Sequence, residues 1–176
     1  MNIGLLLLRA VIGLTLAAHG SQKLFGWFGG PGLEKAGAGM QKMGFGSRAA
    51  LLAGLAETGG GLFLALGLAT PAAAAVCFAV MLVAGASVHF KNGFFLAKSG
   101  YEFNLVLGIP ALSVAFTGPG SLSIDALLGL DRAGAFWGLA ALLVGLAGAG
   151  VQLALRKTAP AAQPAAAGTS PQKATA

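Results

Sequence analysis

The sequence predicts an all-α protein, a polytopic bundle of transmembrane helices with four spans and a fifth on the C-terminal side. Two observations carry this prediction. Of 176 residues, 56% are apolar and 9% charged, with a mean hydropathy of +0.81, whereas a soluble domain carries about 25% charged residues. The apolar residues are also gathered into segments approaching the ~20 residues that a helix needs to cross the hydrocarbon core. The 29 glycines suit helices that approach one another closely in lipid.

The first span covers residues 3–25 and is interrupted by Arg9 and His19. A signal peptide would place its basic residue ahead of the apolar stretch; Arg9 lies inside it, so the segment reads as a retained helix. Residues 26–32 hold four glycines and a proline, which rules out a helix there and leaves Trp27 and Phe28 for the membrane interface. The second span, residues 49–69, is interrupted by Glu57. Thr70-Pro71 follows, and proline suits a first helical turn. A third span over residues 71–90 therefore makes a tight antiparallel hairpin with the second. The fourth, residues 103–116, is short and contains Pro110, so a tilted, kinked or partly re-entrant helix is expected. The fifth, residues 133–155, is free of charge until its end and opens with Gly134-x-x-x-Gly138, a spacing that permits close packing and admits a homo-oligomer. The expected division is a four-helix unit over residues 1–128, an added helix over 133–155, and a disordered tail of Ala, Pro, Thr and Gln over 158–176.

The 11 basic residues outnumber the 5 acidic ones, for a net charge of +6. They sit between apolar runs rather than across a water-facing surface, so nucleic acid is not a partner. The expected partner is the lipid bilayer. With five spans, one side holds Lys23, Lys35, Lys42, Arg48, Lys91, Lys98, Arg156, Lys157 and Lys173, and the other holds Arg132 together with Arg9. Cytoplasmic loops collect Lys and Arg. The N-terminus is therefore expected outside and the C-terminus in the cytoplasm, in a multi-pass protein of the cytoplasmic membrane.

Chemistry rests on the polar residues inside or beside the spans, because ionisable groups in a membrane are costly and usually face a partner. At ~1.5 Å per residue, His19 lies about 7 Å and Glu57 about 12 Å from the same membrane side, within reach of one another. An Arg9 to Glu57 pair would have to bridge about 10 Å. That side gathers His19, Lys23, Glu57, His89, Asn92, Tyr101, Glu102 and Asn104 around the ends of four helices. His19 and Lys23 share a helix face, which a polar helix end with a snorkelling lysine explains equally well. Candidates for holding a cofactor are His19, Glu57, His89, Tyr101 and Asn104; Glu57 and Glu102 are candidates for moving protons. Arg9, Lys23 and Asn92 are expected to pair or position. No metal site is assigned, since neither histidine has a carboxylate at ligand spacing on its own helix. The single cysteine, Cys77, supplies neither a disulfide nor a dithiol couple.

The residues Leu8-Arg9, His19-Gly-x-x-Lys23-Leu-Phe-Gly-Trp-Phe-Gly-Gly-Pro-Gly32, Gly54-Leu-Ala-Glu57-x-Gly59-Gly60, Asn92-Gly-Phe-Phe95, Gly100-Tyr-Glu-x-Asn104 and Ser123-Ile-Asp125 resemble the DoxX family of small bacterial integral membrane proteins. The resemblance covers residues 1–128. It implies a four-helix unit, from which the fifth helix departs. It also implies similarity to a membrane subunit of thiosulfate:quinone oxidoreductase, with links to thiol and oxidative-stress redox systems. Quinone is the cofactor this admits, and a soluble cytoplasmic redox protein the partner. The resemblance brings no agreed catalytic residue. The expectation is a membrane subunit holding a quinone head group among His19, Glu57, His89 and Tyr101, with protons relayed by Glu57 or Glu102. Two alternatives stay open: a non-enzymatic anchor or scaffold that recruits soluble redox enzymes, and a small-solute or proton pathway.

Overall fold

The computed structural model describes residues 2–130 and 132–157, so the expected disordered tail and Lys173 lie outside the described residues. Helix α1 spans Asn2–Phe25 and stops at Gly26, whose positive φ of 73° ends the helical run. A second helix, α2, spans Gly32–Lys42; the sequence reading assigned no element there, and none of its residues is buried. Helix α3 spans Ala49–Leu66 and α4 spans Thr70–Ala84, with Pro71 in the first turn as expected. The α4 axis continues through one wide π-helical turn, Gly85–His89, and a tighter turn, Phe90–Asn92. Helix α5 spans Glu102–Thr117 and runs unbroken through Pro110. A single turn, α6, Ile124–Leu127, leads to α7, Ala135–Ala154.

The result is the all-α bundle that the composition predicts, with the added C-terminal helix in place. Helices α1, α3, α4 with its extension, and α7 are long and apolar enough to cross a membrane. Helix α5 rises only about 24 Å at ~1.5 Å per residue. Helix α4 is central, packing on α3, α5 and α7, while α1 packs on α3 and α5. The core between them holds Leu16, Leu64, Cys77, Phe78, Met81, Leu107 and Val114.

Two contacts fix this arrangement. Between α1 and α3, Gly13 lies against Gly61, and Gly20 against Gly54 and Thr58. A Cβ at Gly13 would fall on the Gly61 carbonyl oxygen, and one at Gly61 on that of Gly13. The glycines are seven residues apart on both helices, so they line one antiparallel seam. The Gly134-x-x-x-Gly138 spacing acts differently. Gly138 receives the Phe116 ring of α5 from the same chain, while Gly134 caps α7 in open space.

The second contact lies at the other end of the bundle. The α3–α4 turn holds Gly67 at φ 65° and Ala69 at φ 45°, an unfavourable value for a residue with a side chain. The turn leaves the first amides of α4 without helical partners, and the Asp125 carboxylate accepts from Ala69 N and Thr70 N, both at 2.8 Å. Asp125 N in turn donates to the Gly67 carbonyl at 2.9 Å. Arg9 is fully buried beside this turn, donating from Nη2 to the Leu122 carbonyl at 2.6 Å. A Cβ at Gly67 would collide with its guanidinium.

Gly61→Leu is expected to destabilise the protein by about 3 kcal/mol or more through overpacking of the seam, whereas Gly59→Leu, where a Cβ meets nothing within 4 Å, should be tolerated. Thermal unfolding in detergent distinguishes them. Asp125→Ala should cost about 2 kcal/mol or more, since two charge-assisted hydrogen bonds to a buried turn are lost together; the same measurement checks it.

Candidate functional site

A groove of about 440 Å³ lies over the face of α4 that carries Val76, Ala79, Val80 and Val83. One bank is α3, with Ala49, Leu52, Ala53, Ala56 and Glu57; the other is α7, with Gly148 and Gln152. Small residues make the room, since Ala49, Ala53, Ala56, Ala79, Ala84 and Gly148 put little volume into it. Leu52 and Val76 line it and are also 56% and 38% exposed, so it opens sideways on the apolar, lipid-facing surface. Met40 of α2, with Met43 and Phe45 just after it, lies at the end of the groove where the basic residues gather.

On the α3 bank, Glu57 is buried and accepts a hydrogen bond from Lys23 Nζ in an ion pair. The glycine seam brings the last turn of α1 alongside α3, which puts the lysine in reach. Lys23 remains about a quarter exposed, with its charge at the groove. His89, on the π-helical turn, lines the groove nearer the basic end. Its Nδ1 lies 2.7 Å from the Ser99 carbonyl. A carbonyl only accepts, so Nδ1 carries a proton and donates, which leaves Nε2 uncommitted in this contact.

The other residues expected at the site are distributed around this groove. Asn92 Nδ2 donates to the same Ser99 carbonyl at 3.1 Å, and the Glu102 carboxylate accepts from Leu96 N at 2.8 Å, so both organise the connection between α4 and α5. Tyr101 stacks on Phe90 at 5.7 Å and meets Phe94 edge-on at 5.5 Å. His19 meets Phe103 of α5 edge-on at 5.4 Å. Asn104 is buried against Met81, its Nδ2 3.8 Å from the sulfur and its Oδ1 without a partner among the described residues. Glu57 and His89 thus share the groove, whereas His19, Tyr101 and Asn104 do not line it. Arg9 turns toward Leu122 and the Asp125 end, far along α1 from Glu57.

The sequence placed His19 within reach of Glu57 by depth and Lys23 among the pairing residues; Lys23, one turn beyond His19, makes the contact. It missed Gly148 and Gln152. Their only signal was the spacing of four that places both on one face of the fifth helix.

Lys23→Met is expected to destabilise by about 3–5 kcal/mol if Glu57 stays ionised, because it strands a buried carboxylate, and the double variant Lys23→Met/Glu57→Leu should recover most of that loss. Unfolding of the parent, both single variants and the double variant in one detergent gives the coupling directly.

No curated protein and no solved structure matches the chain. The family model described as DoxX matches residues 4–90. That span contains α1 to α4, and with them Arg9, His19, Lys23, Glu57 and His89. Residues 4–90 are thus a DoxX-family domain, and the protein is a DoxX-like integral membrane protein.

Proposed function

We propose that the groove binds a lipid-soluble quinone and that the protein is the membrane subunit of a thiol- or oxidative-stress-linked redox system, with its basic end in the cytoplasm. The observation that carries this reading is a buried carboxylate with its ammonium partner on the wall of an otherwise apolar groove. Holding charge within a span costs several kcal/mol, and an acyl chain alone gives no return for it.

A quinone head group fits this donor set. Lys23 Nζ has three N–H donors, of which Glu57 takes one, so the others are free for carbonyl oxygens. The apolar banks of α3 and α4 suit a prenyl tail, which leaves through the lateral opening. A bound quinone supplies an acceptor for two electrons and two protons. Two groups of this chain are placed to hold a proton beside it, the Glu57 carboxylate and His89 Nε2. The electrons would come from a soluble partner, because Cys77 is the chain's one cysteine and is buried in α4. Exposed Lys35, Lys42, Arg48, Lys91, Arg156 and Lys157 at the basic end favour a partner with an acidic surface. The same charges retained inside by the positive-inside rule orient the C-terminus toward that partner.

Protein purified in mild detergent should carry quinone. Glu57→Gln and Gly148→Phe should lower the content to about a tenth, a loss of ~1.4 kcal/mol in binding. Gly150→Phe, which adds the same ring to the outer face of α7 where a Cβ meets nothing within 4 Å, should leave it unchanged. Phospholipid without quinone in every sample would sink the reading. Retention of a soluble partner in that case would support the anchor instead. A reporter fused after α7 should be active only as a cytoplasmic fusion; activity on the outer side would reverse the orientation.

A further inference from the structure

The end of the groove nearest the basic residues is covered by α2 and the three residues after it, and this cover is held from the far side of the groove by the end of α7. Arg156 Nε donates to the Met43 carbonyl at 2.6 Å, and Lys157 N donates to the Gly44 carbonyl at 2.9 Å. The Arg156 guanidinium also lies over the Phe45 ring, 5.3 Å from its centre. The accepting carbonyls are those of Met43, which caps α2, and of Gly44 beyond it, where the helix supplies no internal partner. Gly44 makes the approach close: at φ 88°, its missing side chain is replaced by the Lys157 carbonyl.

The rest of α2 is lightly held. None of its residues is buried. Gly29 precedes it and Gly46 follows it, and at both a Cβ would meet nothing within 4 Å, so each flank holds one glycine with room to rotate, while Gly30 packs on Gln22 and Pro31 fixes its own φ. Its inward contribution to the groove is Met40, and Met43 follows, both flexible side chains that adapt to whatever lies beneath. A short exposed helix between glycine hinges, pinned at one end by two hydrogen bonds, has the parts of a hinged cover.

We propose that α2 is a lid over the basic end of the groove and that Arg156 is the latch that holds it closed. The lid separates the Lys23–Glu57 pair from the aqueous side where a soluble partner approaches, while the lateral opening stays available to a ligand in the bilayer. The C-terminal helix, which lies beyond the segment matched by the family, therefore controls access to a site built mainly by α3 and α4, with Lys23 from α1. For the identity of the ligand this rests on the quinone reading; for the lid it does not.

The test places nitroxide labels at Gly37→Cys on α2 and Gly150→Cys on α7, two positions where a Cβ meets nothing within 4 Å, in a Cys77→Ala background. Pulsed electron–electron resonance in lipid nanodiscs then reads the α2–α7 distance. The labelled parent should give one narrow distribution, and so should Lys157→Ala, because Lys157 bonds through its main-chain N–H. Arg156→Ala should add a second, longer population. An Arg156→Ala distribution identical to the parent's would overturn the proposal, and so would an equal broadening by Lys157→Ala, which would point to general loosening of the α7 end. If no sample carries quinone while Arg156→Ala still releases α2, the quinone reading falls and the lid stands; bound quinone with an unmoved α2 gives the reverse.

Discussion

In lipid, two apolar helices gain nothing from leaving solvent, since the acyl chains are as apolar as their side chains; α1 and α3 associate through the closeness of their contact. Gly13 on Gly61 and Gly20 on Gly54 let the backbones touch over about two turns of each helix. The geometry at the basic end follows from that. Only because the axes run this close does Lys23 reach Glu57, and only with Lys23 does the bundle retain a carboxylate about halfway along a membrane helix. A bulkier seam would move the ammonium away and leave the carboxylate buried without its partner.

The opposite end of the bundle solves a different problem. A tight turn between two spanning helices exposes amides that lipid cannot satisfy. Asp125 takes two of them, and Arg9 takes the Leu122 carbonyl, one residue before the Ser123 cap that starts α6. Charges are thus used at both ends of the molecule, but with different surroundings. The Arg9–Asp125 end is closed around backbone groups, whereas Lys23 and Glu57 face an open groove. That contrast, rather than burial alone, separates a structural charge from a functional candidate here.

The spans, the Thr70-Pro71 hairpin and the added C-terminal helix were legible because they depend on local composition and on proline chemistry. Helix α2 was not: residues 32–42 contain three glycines and no apolar stripe that would reach a core, and the helix buries nothing. At the site, Glu57 was legible from its cost alone, and so was a polar end holding His89. The division of the remaining polar residues was not, because it depends on helix rotation. His19 and Lys23 lie on one α1 face by spacing, yet the first meets Phe103 and the second Glu57. The role of Asp125 could not be read from its own neighbourhood, since its partners lie 55 and 56 residues away.

Helix α5 has one further effect, on the membrane rather than on the chain. Its 16 residues rise about 24 Å against a hydrocarbon layer of about 30 Å, and Leu105, Val106 and Ile109 face outward along it. Lipids on that flank must shorten to meet it, at a cost that grows with each ångström of mismatch. The α3 and α7 flanks impose no such demand, being near full length. No α5 residue lines the groove, so its opening faces bilayer of ordinary thickness while the thinned lipid lies elsewhere. The protein is therefore asymmetric in the plane of the membrane as well as across it, and neighbours that prefer thin bilayer would gather on the side away from the groove.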